Sequence, residues 1–257
     1  MITGSNSSER IRERTSTPMT KAPIAVALDA RNLSEMKSWV NAVSPFVSTV
    51  KVGLETFYRD GPLAVEVVSE SGCDLFLDLK LHDIPNTVSG AASTLAVFQP
   101  TYLTVHASGG ASMIEAAALA LPDTRITAVT ILTSLDDQEL ERMGIGTPAQ
   151  ETVLLLAANA VAAGARALVC SPQEVEAVRG IVPSDVVLIT PGVRPGGASA
   201  HDQKRVATPH QAISSGADLL VIGRPITGAV DMSKAAEDIA AEVNAATSAL
   251  SHQSGVQ

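Results

Sequence analysis

Short apolar runs alternating with longer, alanine-rich stretches of helical period leave this chain few folds to choose from. The runs are IAVALD (24–29), STVKVGL (48–54), DLFLDLK (74–80), YLTVHAS (102–108), ITAVTILT (126–133), ALVC (167–170), VVLITPGV (186–193) and LLVIGR (219–224). The segments between them, such as LSEMKSWVNAVSP and ETVLLLAANAVAAGA, carry the spacing of amphipathic helices. Strands that are apolar along their whole length are buried on both faces, which calls for a parallel sheet covered by helices. Eight such units in about 225 residues match the size of a (β/α)8 TIM barrel. An α/β fold of that kind, in a single catalytic domain over 21–245, is therefore expected. The alternative is an open doubly wound sheet, but no GxGxxG follows the first run to favour it.

The ends of the chain read differently. Residues 1–20 are polar, rich in Ser, Thr and Arg, and lack core periodicity, so a flexible N-terminal extension is expected; 246–257 reads as a flexible C-terminal tail. Glu9 and Glu13 among the arginines disfavour a transit peptide. No apolar run approaches the roughly 18 residues of a membrane helix, and no signal-peptide core follows Met1. The balance of 18 Lys+Arg against 27 Asp+Glu, a net charge of −9, argues against a nucleic-acid partner while permitting a local cationic pocket. Cys73 and Cys170 form neither a disulfide framework nor a zinc spacing, which points to a reducing, cytoplasmic setting.

A barrel places its chemistry where strands end. The ends here are polar: Asp29, Lys51, Asp78 with Lys80, His106, Thr133, then Arg194 after the seventh run and Gly223-Arg224 at the eighth. Ionised groups in apolar strands are costly unless paired, and these carry both signs at matching heights. Asp78 and Lys80, two apart, are expected to share the inward face of a strand, with Lys51 approaching from the neighbouring strand and holding Asp78 ionised. Asp83 lies beyond the strand; with Pro85 and Asn86 after it, it reads as a helix N-cap. Gly223 lets backbone amides approach an anion, with the Arg224 cation beside it, where barrels often hold phosphate; the bland reading is a tight turn and a solvated arginine. The loop RPGGASAHDQKR (194–205) is long and polar, as a closing lid would be. His106 reads as a hydrogen-bonded strand-end histidine and Cys170 as a small buried apolar residue.

The D-x-K-x-x-D arrangement of LDLKLHDIPNT resembles the signature of the orotidine 5'-phosphate decarboxylase family. ALD at the first strand, KVG at the second, LTS at the fifth, TPGVRP at the seventh and VIGRPIT at the eighth agree with it, in the family's order from about 22 to 240. The resemblance implies cofactor-free decarboxylation of orotidine 5'-monophosphate to uridine 5'-monophosphate, the last step of pyrimidine synthesis, with no metal. It implies that Asp29 and Lys51 hold the ribose hydroxyls, that Asp78 faces the substrate carboxylate, and that Lys80 protonates C6. Asp83 and Thr87 would reach into the neighbouring subunit's site, making a homodimer with shared active sites. Arg194 and Gln203 would meet the substrate, Gln203 towards the phosphate; Gly223 and Arg224 would take the phosphate; Thr133 and Ser134 would meet the pyrimidine amide edge.

Two other functions compete. A metal-dependent 3-keto-L-gulonate 6-phosphate decarboxylase or hexulose-phosphate synthase resembles this chain in D-x-K-x-x-D but uses a carboxylate at the end of strand two, where Lys51 stands. A non-catalytic phosphate-binding barrel predicts Gly223-Arg224 but has no use for Asp78 beside Lys80.

Overall fold

The computed structural model describes residues 21–194 and 207–254. Residues 1–20, 195–206 and 255–257 lie outside the described residues, and with them the expected N-terminal extension, most of the expected lid and Gln203. Eight parallel strands close into a barrel in sequence order: β1 (Ala22–Ala27), β2 (Val47–Gly53), β3 (Asp74–Leu81), β4 (Tyr102–His106), β5 (Arg125–Val129), β6 (Ala167–Val169), β7 (Val187–Thr190) and β8 (Leu219–Ile222). The ring shuts where β8 pairs with β1, Leu220 opposite Ile24 and Ile222 opposite Val26. Every apolar run becomes a strand, so the (β/α)8 barrel is present. Several strands stop early, however. β1 ends at Ala27 and β5 at Val129, which places Asp29 and Thr133 on exit loops rather than in the ladder.

Alternation along each strand divides the apolar residues into two layers. Ile24, Val26, Leu75 and Leu77 belong to the large cluster between sheet and helices, with Met36, Val40 and Val65 from the helices that cover them. The residues of opposite parity, Ala25, Phe76, Tyr102, Ala167, Ile189 and Leu219, make a separate smaller cluster inside the barrel. Phe76 and Tyr102 fill most of that volume, their rings 5.5 Å apart, and the Arg125 guanidinium lies 5.7 Å from the centre of the Tyr102 ring. These residues plug the interior towards the strand N-termini. The opposite mouth is left for polar groups.

The helices form as their spacing requires. Leu33–Val43 starts on Asn32, whose side chain accepts the Glu35 N–H at 2.9 Å, and turns Met36, Val40 and Val43 inward. One boundary needs correction. The final helix runs from Met232 to Ser254, past Ala246, where the sequence suggested a tail. Ala246 is 3% exposed and Leu250 packs on the core, so burial of an apolar stripe carries the helix through a stretch whose Ser and Thr content reads as frayed.

Candidate active site

Three strands in succession build the charged wall of the open mouth. Lys51 on β2 stands opposite Phe76 on β3 in the ladder, and Gly53 opposite Asp78, so Lys51, Phe76 and Asp78 all face inward. The Lys51 Nζ donates to Asp78 Oδ2 at 2.9 Å, and the Lys80 Nζ to Asp78 Oδ1 at 2.7 Å. Burial alone would raise the Asp78 carboxyl, but the ammonium groups of Lys51 and then Lys80 outweigh it and bring it down to about 2. Asp78 is thus an anion at any physiological pH, held between two cations.

Lys80 reaches this site by a route the sequence did not suggest. Simple alternation would align it with Asp78, but its φ is +50°, in the left-handed region that a side chain with a Cβ seldom adopts. The pairing of β3 with β4 shifts there: Leu77 is opposite Leu103 and Leu81 opposite Val105, leaving a bulge that contains Asp78 and Lys80. Bulges near active sites re-aim side chains. The extra backbone is bonded, because the Lys80 N–H donates to Thr104 Oγ1 at 2.8 Å. The same hydroxyl donates to Asp78 Oδ1 at 3.2 Å. Thr104 was missed by sequence reasoning; its one signal is a polar residue sharing inward parity with His106.

Lys51, Phe76, Asp78, Lys80 and Thr133 line one cavity of about 190 Å³, whose far wall is apolar, with Val129, Val169 and Val221. Cys170 also lines it, yet burial pushes its thiol up to about 12, so it acts as a small apolar residue and not as a nucleophile. A charged wall facing an apolar one suits a ligand with one polar, charged edge and one apolar face. Asp29 lies at the rim. A Cβ on Gly53 would sit 3.1 Å from Lys51 Nζ and 3.3 Å from Asp29 Oδ1, so glycine in KVG leaves both groups room at the mouth.

The remaining expected residues lie around this cavity rather than in its lining. Ser134 is exposed beside Thr133. Arg194 is 7% exposed just beyond β7, where its side chain donates to Val193 O. Its backbone N–H donates to Ala207 O, and Ala207 N–H to Gly192 O, so the two ends of 195–206 are clasped together at the mouth. Gly223 follows β8 and caps the short helix Arg224–Thr227, with Arg224 exposed. Asp83 and Thr87 are exposed too, and among the described residues Asp83 forms no ion pair. The N-cap reading of Asp83 is corrected: the cap position of helix Pro85–Leu95 is Ile84, and Asp83 merely accepts the Ile84 N–H at 2.7 Å. Proline at the first helical position moves the helix start one residue on. His106, half-buried at the end of β4, packs against His82 with the rings tilted and their centres 5.2 Å apart; desolvation, then His82 and Lys80, lower its pKa.

The chain matches the family described as orotidine 5'-phosphate decarboxylase / HUMPS over residues 22–239. It is 59% identical over 223 residues to an orotidine 5'-phosphate decarboxylase of Thermobifida fusca, covering 86% of this chain and 96% of that one. With the same enzyme of Frankia casuarinae it shares 48% over 247 residues, 89% of this chain and 90% of that one. The crystal structure of orotidine 5'-phosphate decarboxylase from Lactobacillus acidophilus superposes with a TM-score of 0.76 at 38% identity, over 87% of this chain and all of that one.

Proposed function

Because the chain belongs to the orotidine 5'-phosphate decarboxylase / HUMPS family, we infer that it decarboxylates orotidine 5'-monophosphate to uridine 5'-monophosphate in pyrimidine biosynthesis, with Lys80 as the proton donor. The observation that carries the role of Lys80 is an ammonium fixed inside a cavity by Asp78 at 2.7 Å and by a bulged backbone. The bond from C6 to the carboxylate breaks, CO2 leaves, and the electron pair remains on C6. No ring position delocalises that pair, so a cation aimed at C6 stabilises charge that exists only in the transition state. Lys80 then transfers a proton to C6, forming the product, and is reprotonated from water. Arginine could not take this role, since it does not give up its proton.

Asp78 holds Lys51 and Lys80 in register. Its charge also faces the substrate carboxylate, a repulsion of about 4 kcal/mol at 4 Å and an effective dielectric near 20. Large enzymatic accelerations need up to about 23 kcal/mol, so repulsion is the minor part of the effect. Asp29 and Lys51, brought together across Gly53, take the ribose hydroxyls. Thr133 and Ser134 meet the pyrimidine amide edge, and Arg194, Gln203, Gly223 and Arg224 the phosphate end. Asp83 and Thr87 project outward with Ile84, which is 67% exposed, and complete the site of a second copy in a homodimer. No helix among the described residues is long and apolar enough to cross a membrane. The free thiols of Cys73 and Cys170 suit a cytoplasmic enzyme.

The family also contains metal-dependent decarboxylases, against which Lys51 argues directly. A cation at the end of β2 repels a divalent metal, and among the described residues no three His, Cys, Asp or Glu side chains are grouped to hold one. Loss of orotidine 5'-monophosphate absorbance on mixing is the direct test. Turnover is expected to be the same in excess chelator, and a chelated, inactive enzyme revived by magnesium would overturn this assignment.

Arg224→Ala is expected to lower kcat/KM for the phosphorylated substrate by about 10- to 100-fold, the size of a lost charged hydrogen bond. The much slower reaction of the nucleoside should be untouched, because it has no phosphate for Arg224 to hold. Equal losses with both substrates would remove Arg224 from the phosphate site.

A further inference from the structure

The Lys80 ammonium is aimed by its backbone as much as by its ion pair, and that backbone hangs on one buried hydroxyl. Between Leu77 and Leu81 the β3 chain advances four residues while β4 advances two, from Leu103 to Val105. Ladder bonding lapses there, and the N–H of Lys80 would be left without a partner in the strand ladder, a costly arrangement for a part-buried amide. Thr104, fully buried on β4, supplies the acceptor at 2.8 Å. A hydroxyl has one proton to give, and Thr104 gives it to Asp78 Oδ1 at 3.2 Å, the same oxygen that receives the Lys80 ammonium. One atom therefore ties the main chain of Lys80 to the carboxylate that holds its side chain.

We propose that Thr104 is a positioning residue for the decarboxylation, its hydroxyl fixing both the left-handed backbone of Lys80 and the orientation of Asp78. This rests on Lys80 being the proton donor. Thr104 does not touch the reacting atoms; it acts by keeping the ammonium where C6 will be. Misplacement by about 1 Å can lower a rate by about 10²-fold, and loss of this hydroxyl frees the backbone of the lysine and leaves Asp78 held by Lys51 and Lys80 alone. Nucleotide binding, which depends on the ribose and phosphate groups at the rim, does not depend on Thr104.

The test compares Thr104→Val, which keeps the branched shape and removes the hydroxyl, with Thr104→Ser, which keeps the hydroxyl and removes a methyl. For Thr104→Val kcat is expected to fall by about 10- to 100-fold, with KM and the affinity for uridine 5'-monophosphate within about threefold of the parent. Thr104→Ser should recover kcat to within about threefold. Thr104→Ala provides the same hydroxyl deletion if valine prevents folding. The proposal is overturned if the hydroxyl-free variant keeps at least about half of the parental kcat, if kcat and nucleotide affinity fall together, or if serine performs no better than valine. Measured alongside, Lys80→Ala separates the two readings. An inactive Lys80→Ala with a fully active Thr104→Val removes only the role of Thr104, whereas an active Lys80→Ala removes the proton donor itself.

Discussion

Lys80→Ala is expected to abolish decarboxylation, lowering turnover by about 10³-fold or more, while uridine 5'-monophosphate still binds. On the role proposed for Lys80, the size follows from two losses at one atom: the charge stabilising the C6 carbanion and the acid quenching it, each worth about 10²-fold or more. The fold should survive. Alanine occupies a φ of +50° at about the same cost as lysine, and Asp78 keeps Lys51 at 2.9 Å and Thr104 at 3.2 Å. The proposed ribose and phosphate contacts come from other strands, so calorimetric titration with product should give an affinity near the parent's. A variant that retains more than about a tenth of parental turnover would show that another group protonates C6.

The second large effect concerns two dead proteins made active by mixing. Lys80→Ala lacks the proposed proton donor, and Asp83→Ala lacks the acid proposed to enter the neighbouring subunit's site. Asp83 faces outward, past β3 and ahead of helix Pro85–Leu95, and its carboxylate binds only the adjacent Ile84 N–H among the described residues. To turn back to Lys80 of its own chain it would have to oppose the direction in which the loop leaves the barrel. In an isologous dimer each subunit gives one such loop and receives one. A heterodimer of the two variants then has one site carrying both defects and one carrying neither. Random exchange at equal concentrations makes about half of the dimers mixed, with one intact site in two, so about 25% of parental activity is the ceiling. Recovery towards that value after verified subunit exchange is the expected result. No recovery would leave Asp83 as a loop residue bonded to its neighbour's amide.

The barrel was legible because each strand is buried on both faces and so written as an unbroken apolar run. The runs extend beyond the strands β1 and β5, where Leu28, Ile131 and Leu132 remain apolar past Ala27 and Val129. Those residues are apolar for another reason: Leu28 and Ile131 are buried, and Ile131 and Leu132 wall the cavity. Lys51, Asp78 and Lys80 were legible because charges of both signs in apolar strands demand partners. The bulge was not. Nothing in DLFLDLKL marks a left-handed residue, since the usual signals are glycine or asparagine and the position holds lysine. Thr104 was hidden for a related reason, as threonine is at home in any strand. Asp83 looked like a cap because aspartate before proline so often is one; the backbone gave that position to Ile84.

The positive φ at Lys80 also says something about what this protein could become. Holding a side chain with a Cβ in that conformation costs about 1–2 kcal/mol that glycine would not incur, a noticeable share of the 5–15 kcal/mol by which a typical domain is stable. A chain chosen for robustness alone would therefore drift to glycine at 80 and gain ground at every temperature. If Lys80 is the proton donor proposed above, lysine at that position is a stability–activity trade-off confined to a single residue. Thermal hardening of this barrel should accordingly look to its helices and loops. A redesign guided by backbone preference alone would remove the proposed proton donor while improving the protein.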